Sequence, residues 1–321
     1  MRVVITGAAG FVGRKLAERL ARDGEISGEK IDEMALFDVV EPVVPQAAFP
    51  IEAVVGDISD SSEINRLIGK TTGHVFHLAA IVSGQAEAEF DTGMRINLDG
   101  TRVVLEACRQ LEEPAKLIFS SSVAVFGGEV PPVIQDDTAL NPQTSYGAQK
   151  AAGELLVNDY SRKGFVDGRS LRLPTVVVRP GKPNRAASTF ASSIIREPLQ
   201  GDSAVCPVDP DARMWIASPR TVLASLLHAH KLPAESYGMN RSITLPGITV
   251  SIGEMVEALE RVAGREVVER ISWEKDDTIA RIVAGWCATF NPVRGLALGF
   301  PQDSSMDEII SAFIEDDMVR K

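Results

Sequence analysis

Cysteine and histidine are scarce in this 321-residue chain, and their spacing excludes two common kinds of site. The three cysteines, Cys108, Cys206 and Cys287, are far apart and form no C-x-x-C pair. This disfavours a disulfide framework and a structural zinc site, and it suits a reducing compartment. His228 and His230 lie two positions apart and would point to different sides of a helix. We therefore expect no metal site.

Long apolar runs and a net positive charge are also lacking. No stretch approaches the roughly 18 apolar residues of a membrane span, and the N-terminus lacks the apolar segment and cleavage site of a secretory signal. The chain has 33 basic against 44 acidic residues, which gives a net charge of −11. Because such a chain repels phosphate backbones and anionic membrane surfaces, we expect neither nucleic acid nor membrane as a partner. The sequence predicts a cytoplasmic protein.

Short apolar runs alternate with amphipathic segments through the first half of the chain. The predicted strands are residues 3–5, 34–37, 53–55, 75–78, 117–119 and 171–178. The predicted helices begin at about residue 12 and cover about 61–70, 92–112 and 146–163. This alternation predicts a doubly wound α/β fold of the Rossmann type, with a parallel sheet covered on both faces. Its ligands would bind at the carboxyl ends of the strands.

A glycine-rich turn connects the first predicted strand to the first predicted helix. The segment ITGAAGFVGRKL places Gly7, Gly10 and Gly13 in this turn. Glycine lets the backbone approach a pyrophosphate closely, and the helix N-terminus offers free N–H groups to the anion. The spacing alone is a weak signal, but at the first turn of a βαβ unit it indicates a dinucleotide site.

Two aspartates follow the next strands. Asp38 ends the second predicted strand, where a carboxylate accepts hydrogen bonds from the adenosine ribose and repels a 2′-phosphate. This position favours NAD over NADP. Asp57 follows the third strand and is placed to meet the adenine edge. Either aspartate could instead cap a helix N-terminus.

A tyrosine, a lysine and a serine form the candidate catalytic group. Tyr146 and Lys150, in TSYGAQK, are four positions apart and share one face of a helix. Tyrosine is a poor base at its usual pKa of about 10, but a neighbouring ammonium and a positive nicotinamide ring favour the phenolate. Ser122, in FSSSVAVFGG, would hold the substrate oxygen that Tyr146 deprotonates, with Ser121 as the alternative.

These motifs together resemble the extended short-chain dehydrogenase/reductase family, over essentially the whole chain. The carrying segments are TGAAGFVG, HLAA, INLDGT, FSSSVAVFG and YGAQK, in that order. The resemblance implies Tyr146 as general base, Lys150 as its modulator and ribose ligand, and Ser122 as the substrate-orienting hydroxyl. It implies a homodimer through the helices near 92–112 and 146–163. It also implies NAD contacts from Gly7, Gly10, Phe11, Val12, Gly13, Asp38, Asp57, Ile58, Leu78, Ala79, Asn97, Tyr146, Lys150 and Pro174.

The second half of the chain suggests a smaller unit. Beyond residue 180 proline and glycine become frequent, and helices are predicted at 219–231, 276–286 and 306–316. Ser251 and Glu254 predict a capping box at the start of another helix that ends near Ala263. We expect residues 1–178 to form the NAD-binding domain, with 219–247 returning to it. Residues 179–321 would form mostly a smaller, interleaved substrate-binding lobe.

A basic stretch points to the substrate. From Gly168 to Arg196 the chain carries six basic residues and no acidic one. The blocks RLPTVVVRPGKPNRAASTFASSIIREPLQG and AAIVSGQAE resemble a family member that oxidises a four-carbon sugar acid at C2. A sugar acid carries a carboxylate beside the reacting carbon, so a fixed cation is expected near the nicotinamide. The substrate candidates are Ser83, Ser122, Tyr146, Thr175, Arg179 and Lys182, whereas Arg169 and Arg172 are expected to be structural.

Three functions remain open at this point. The first is NAD-dependent oxidation of a small anionic sugar acid, such as D-erythronate, at its C2 hydroxyl. The second is a nucleotide-sugar 4-epimerase or dehydratase with tightly held NAD, whose pyrophosphate would also bind arginines. Thr175 stands where such enzymes usually carry an asparagine, which weakens this alternative. The third is a non-catalytic NAD-binding sensor, disfavoured by the presence of Ser122, Tyr146 and Lys150.

Overall fold

A parallel sheet of seven strands forms the centre of the protein in the computed structural model, which describes residues 1–181 and 187–318. The strands are β1 (Arg2–Thr6), β2 (Glu25–Ile26), β3 (Glu29–Lys30), β4 (Glu33–Asp38), β5 (Ile51–Val55), β6 (Thr72–His77), β7 (Lys116–Ser122), β8 (Ile134–Gln135), β9 (Asp167–Leu173), β10 (Thr175–Val176), β11 (Ala204–Cys206), β12 (Arg213–Ala217), β13 (Ser242–Thr244), β14 (Ile248–Ser251), β15 (Ile271–Trp273) and β16 (Phe290–Asn291). The central sheet has the order β13-β9-β7-β6-β1-β4-β5, with every neighbouring pair parallel.

Helices cover both faces of this sheet. They are α1 (Phe11–Asp23), α2 (Ser61–Leu67), α3 (Ser83–Ala88), α4 (Phe90–Gly93), α5 (Gly100–Arg109), α6 (Ser145–Arg162), α7 (Thr189–Gln200), α8 (Pro219–Lys231), α9 (Ile252–Ala263), α10 (Arg265–Val268), α11 (Asp277–Ala284), α12 (Val293–Ala297) and α13 (Met306–Asp317). A π-helix spans Met94–Asp99, and 3₁₀ turns span Val123–Val125 and Ala234–Tyr237. Helices α1 and α8 contribute Leu16, Leu20, Val222 and Leu226 to one core cluster. Helices α2, α5 and α6 contribute Ile64, Val104 and Val157 to another. The predicted doubly wound α/β fold is confirmed.

The order of the strands determines where a ligand can bind. The sheet extends from β1 in two directions, to β4 and then β5 on one side and to β6, β7 and β9 on the other. A crevice forms where the order reverses, beyond the carboxyl ends of the strands. The turns after β1 and β6 therefore lie at this crevice, and Ser122 at the end of β7 lies at the same edge.

The predicted strand at 171–178 is wrong at Pro174. Strand β9 ends at Leu173, and β10 begins at Thr175 in a different sheet, where it pairs with β12. The cause is that proline has no N–H to donate and cannot continue a ladder of hydrogen bonds. The chain thus leaves the central sheet at Pro174, whereas β13 returns to its edge beside β9. The division at residue 178 stays a prediction.

A second core lies beside the central sheet. The strands β10, β12 and β14 form a three-stranded sheet, and α7, α9 and α13 pack near it with Ile194, Ile195, Leu259, Ile309 and Ile310 buried. The capping box predicted at the start of α9 is confirmed, because Ser251 and Glu254 each accept the other's backbone N–H, at 3.0 and 2.6 Å. Within the two described ranges, no helix has both the length and the apolar character needed to cross a membrane.

Candidate active site

The glycine turn after β1 is shaped for an anion. Helix α1 begins after Gly10 with no side-chain cap and no acidic residue in its first turn, so its first N–H groups remain available. Gly7 has φ +74°, and a Cβ there would lie 2.6 Å from the Ala79 backbone nitrogen. A Cβ at Gly13 would lie 2.2 Å from the Gly7 carbonyl oxygen. This close packing of backbone, with free donors at the helix N-terminus, fits the pyrophosphate of a dinucleotide.

Gly13→Ala is expected to weaken NAD binding by about tenfold or more and to lower Tm. The new methyl group would overlap the backbone of the turn, and such overpacking typically costs about 1–3 kcal/mol. Titration of NADH fluorescence and a thermal melt would measure both effects. The control is Gly69→Ala, because a Cβ at Gly69 meets no atom within 4 Å. An NADH affinity of Gly13→Ala equal to that of the wild type would contradict this account of the turn.

Asp38 and Asp57 are held differently. One carboxylate oxygen of Asp38 accepts the Ala9 N–H at 2.9 Å and the other accepts the Val39 N–H at 2.7 Å. Asp38 is thereby fixed beside the glycine turn, and its contact with the adenosine ribose stays a prediction. Asp57 instead accepts two hydrogen bonds from Ser59 and pairs with Arg95. Burial opposes ionisation of Asp57, but these partners hold its pKa below the usual value.

The segment after β6 is anchored by Asn97 from the π-helix. The Asn97 side chain accepts the Ile81 N–H at 2.9 Å and donates to the Ile81 carbonyl oxygen at 3.2 Å. It also donates to Gln149 Oε1 on α6 at 2.8 Å. Asn97 therefore ties the turn that carries Leu78 and Ala79 to the helix that carries Tyr146. Its amide is engaged within the protein, and its contact with NAD stays a prediction, as do those of Asp57 and the buried Ile58.

His77 was not singled out in the sequence, yet it connects three elements beneath the site. Its Nδ1 lies 2.8 Å from Thr6 Oγ1 on β1, and its Nε2 lies 3.0 Å from Thr101 Oγ1 on α5. Thr101 in turn donates to the Asn97 carbonyl oxygen at 2.7 Å. Burial lowers the pKa of His77 to about 3, so the imidazole is neutral. We read His77 as a structural connector, because each ring nitrogen has a partner.

Ser122 and Tyr146 come together at the carboxyl edge of the sheet. Ser122 ends β7, and its Oγ accepts the Ala124 N–H at 3.1 Å. Tyr146 is the second residue of α6, whose start is fixed by Thr144 accepting the Gly147 N–H at 3.0 Å. Burial raises the pKa of Tyr146 to about 12, and a hydrogen bond from Ser122 acts in the opposite direction. The lowered pKa expected for Tyr146 is thus not produced by the protein's own groups.

Lys150 lies on the same face of α6 as Tyr146. Its Nζ donates to the Ser120 carbonyl oxygen at 2.7 Å and lies 5.7 Å from the centre of the Tyr146 ring. The side chain is almost fully buried, and this burial lowers the pKa of Lys150 to about 7, whereas Glu154 raises it. The charge of Lys150 is therefore sensitive to its neighbours near neutral pH.

Three of the four described arginines of the basic stretch pair with carboxylates, and the fourth, Arg179, does not. Arg169 pairs with Asp167 at 2.9 Å, Arg172 with Glu154 at 2.7 Å and Arg196 with Glu197 at 2.7 Å. The expectation that Arg169 and Arg172 are structural agrees with these pairs. In residues 1–181 and 187–318, no carboxylate pairs with the Arg179 guanidinium. Lys182, the other carboxylate-binding candidate, lies outside the described residues.

Arg179 is half-buried at the end of the segment that follows β10. Its backbone N–H donates to Ser192 Oγ at 3.0 Å, and its guanidinium donates to Ser188 Oγ at 3.3 Å. Its carbonyl oxygen accepts a hydrogen bond from Arg196 at 2.6 Å. Burial and the neighbouring Arg196 lower the pKa of Arg179 to about 10, which leaves it charged at neutral pH. An anion beside this guanidinium would relieve both effects.

The other substrate and nicotinamide candidates lie on separate elements. Pro174 is buried between β9 and β10, Thr175 is half-buried at the start of β10, and Ser83 is the half-buried first residue of α3. In the described part of the chain, no hydrogen bond or ion pair joins Ser83, Thr175 or Arg179 to Tyr146. Their contacts with substrate or cofactor stay predictions.

Comparison with known proteins gives relatives over nearly the full length. The model of the NAD-dependent epimerase/dehydratase family matches residues 3–216. D-erythronate dehydrogenase of Cupriavidus necator is 53% identical over 320 residues, covering 98% of each chain. D-erythronate dehydrogenase of Haemophilus influenzae is 46% identical over 318 residues, covering 99% of this chain and 100% of that protein. A crystal structure described as the nucleoside-diphosphate-sugar epimerase from Agrobacterium tumefaciens has a TM-score of 0.95 at 45% identity, covering 98% of this chain and 94% of that chain.

Proposed function

Since the chain belongs to the NAD-dependent epimerase/dehydratase family, we propose that this NAD-dependent enzyme oxidises the C2 hydroxyl of a small sugar acid. D-erythronate is the substrate we propose, and 2-dehydro-D-erythronate is the product. Identities of 53% and 46% with two D-erythronate dehydrogenases, over almost the whole chain, support this choice. These matches extend over the residues of both the central sheet and the second core.

The single observation that carries the substrate class is that the Arg179 guanidinium has no carboxylate partner within the described residues. Each of the other three described arginines between Gly168 and Arg196 has a carboxylate partner, whereas Arg179 has none within the described ranges. A half-buried cation without a counter-charge is costly, and an anion that arrives with the substrate would reduce this cost. The planar guanidinium can bind a carboxylate through two parallel hydrogen bonds. In a sugar acid the carboxylate carbon, C1, is bonded directly to C2.

The chemistry follows from the three residues at the edge of the sheet. Ser122 donates a hydrogen bond to the C2 oxygen and orients it towards Tyr146. The Tyr146 phenolate takes the hydroxyl proton as C2 becomes a carbonyl carbon, and Lys150 supports the phenolate with its positive charge. When bound, NAD supplies the acceptor for the two electrons and hydrogen lost from C2, and its positive nicotinamide ring favours the phenolate.

A nucleotide-sugar epimerase or dehydratase is the second candidate. It is favoured by the similarity, at 45% identity, to a structure described as a nucleoside-diphosphate-sugar epimerase. Thr175, where the asparagine of such enzymes is expected, stands against it. An epimerase returns the hydrogen to its substrate, so it would form no net NADH and would retain NAD through purification.

The experiment that tests the proposal is NADH absorbance with a panel of acids. NAD would be incubated with D-erythronate, L-erythronate, D-threonate, L-threonate and longer aldonates, and UDP-glucose and UDP-galactose would be assayed separately for epimerisation. We expect rapid NADH formation with D-erythronate and slower or no formation with its stereoisomers. No NADH with any acid, together with epimerised UDP-sugar, would replace the proposal by the second candidate.

We also propose that the enzyme acts in the cytoplasm as a homodimer. The π-helix, α5 and α6 pack against one another and carry the predicted dimer contacts. On α6 the apolar side chain of Leu155 is 68% exposed, which suits a position covered by a second copy. Light scattering during size-exclusion chromatography should give the mass of two chains. A mass of one chain at micromolar concentration would contradict the dimer.

A further inference from the structure

Three different groups of Arg179 are held by one helix, α7. The backbone N–H donates to Ser192 Oγ at 3.0 Å, the guanidinium donates to Ser188 Oγ at 3.3 Å, and the carbonyl oxygen accepts from Arg196 at 2.6 Å. Ser188 immediately precedes α7, and the three holding residues follow one another at intervals of four positions. Because residues four apart lie on the same face of a helix, one face of α7 is fitted to this single arginine.

These contacts lie in the interior of the second lobe. Ser192 is 1% exposed and Arg196 is 3% exposed. The same helix contributes Ile194 to the core cluster that contains Val177–Val178, the two residues before Arg179. Apolar packing and hydrogen bonds thus join the same two segments. Since a buried hydrogen bond has no water to replace it, the backbone of Arg179 is firmly held against α7.

Arg196 acts as a support in this arrangement, because its own donors are engaged. One terminal nitrogen donates to the Arg179 carbonyl oxygen, and the other donates to Glu197 at 2.7 Å and to Ser193 Oγ at 3.2 Å. The Glu197 carboxylate also balances the charge of Arg196. Of these two neighbouring arginines, Arg179 is therefore the one whose charge has no carboxylate partner in the described part of the chain.

We propose that Ser192 and Arg196 are positioning residues, which hold the backbone of Arg179 so that its guanidinium is already oriented for the anionic group of the substrate. The inference rests on the proposed function, in which Arg179 binds the carboxylate of a sugar acid. Ordering a long side chain costs conformational entropy, and a group that is ordered before binding loses less of it when the ligand arrives. The contacts with α7 should therefore act on KM.

The test is the kinetics of Ser192→Ala with D-erythronate and with its neutral amide, at saturating NAD. Alanine removes the acceptor of the Arg179 N–H and leaves every charge in place. We expect KM for the acid to rise about fivefold, the factor for one hydrogen bond of ordinary strength, with kcat and the affinity for NADH nearly unchanged. KM for the amide should equal that of the wild type, because the amide offers no charge to Arg179.

Two further variants separate positioning from simple stabilisation. Ser225→Ala removes a fully buried hydroxyl from α8, and this hydroxyl has no hydrogen-bond partner within the described ranges. It should leave both KM values unchanged. In Ser192→Ala/Arg179→Met the KM for the acid should equal that of Arg179→Met alone, because no guanidinium remains to be positioned.

Amide hydrogen exchange gives a readout that needs no substrate. The Arg179 amide should exchange about fivefold faster in Ser192→Ala than in the wild type or in Ser225→Ala, because its acceptor is lost. Mass spectrometry with fragmentation of the peptides resolves this amide. If Ser192→Ala does not fold, Arg196→Lys keeps the charge but lacks the planar donors, and it should also raise KM for the acid and not for the amide.

Three results would overturn the proposal. They are a wild-type KM for the acid in Ser192→Ala while Arg179→Met raises it, an equal rise for acid and amide, and a further loss in the double variant beyond that of Arg179→Met. No NADH with any acid would instead overturn the proposed function. The KM of Ser192→Ala for UDP-glucose, whose pyrophosphate would then be the anion, would decide the positioning role, and a wild-type value there would overturn it.

Discussion

Tyr146→Phe is expected to lower kcat on the sugar acid by about a thousandfold, with NAD binding nearly unchanged. General acid–base catalysis contributes about 10²–10⁴-fold, and phenylalanine keeps the ring while it removes the phenolic oxygen that is proposed to accept the proton. Because the proposed base must ionise and burial raises the pKa of Tyr146 to about 12, wild-type activity should increase with pH through the neutral range. Stopped-flow measurement of NADH formation across pH would give both results.

Tyr160→Phe is the matched control for this prediction. Tyr160 lies on the same helix, but its hydroxyl donates to Glu106 on α5, away from Ser122 and Lys150. We expect its kcat and pH profile to match those of the wild type. If Tyr146→Phe kept more than about a tenth of wild-type activity, Tyr146 could not be the base, since its loss would then cost less than the range for such a group.

Arg179→Met is expected to lower kcat/KM for the sugar acid by about a hundredfold, mainly through KM. Loss of one partner of a desolvated, hydrogen-bonded charge pair typically costs about 2–5 kcal/mol. Methionine occupies similar space but offers no charge, so the substrate carboxylate would lose its partner. Arg179→Lys keeps the positive charge but lacks the planar pair of donors, so its kcat/KM should lie between those of the wild type and Arg179→Met. Initial rates at varied acid concentration, with saturating NAD, measure the effect.

A neutral substrate analogue makes this prediction specific to charge. The methyl ester or amide of the acid should react slowly with the wild type, and Arg179→Met should add little to that loss. Arg220→Met is the control, because it removes an exposed arginine of α8 that pairs with Glu315 and Asp316 of α13. An equal effect of Arg179→Met on the charged and neutral substrates would show that Arg179 does not bind the carboxylate.

Much of the fold could be predicted because its signals are local. The predicted helix at 219–231 matches α8 at both ends, and the capping box of Ser251 and Glu254 marks the start of α9 correctly. The predicted helix at 92–112 missed a π-helix at its start, whose irregular turn is fixed by contacts of Asn97 with residues far along the chain. The strand at 171–178 failed because Pro174 interrupts a run of otherwise ideal strand formers.

The candidate site could be predicted only where residue type and spacing decide. Tyr146 and Lys150 could be predicted as a pair because their spacing places them on one face of a helix. The sequence predicted that Arg172 is structural, but it could not show that the partner of Arg172 is Glu154, which lies 18 residues away on α6. Nor could it show that burial dominates the pKa of Tyr146, since burial depends on how α6 packs against the sheet.

The most direct measurement follows the hydrogen that leaves the substrate. D-erythronate deuterated at C2 would be oxidised with NAD, and the NADH formed would be analysed by mass spectrometry and proton NMR. We predict one deuterium at C4 of the nicotinamide and a 2-oxo acid as product. Unlabelled NADH from this substrate, with labelled NADH from the C3-deuterated acid, would contradict oxidation at C2.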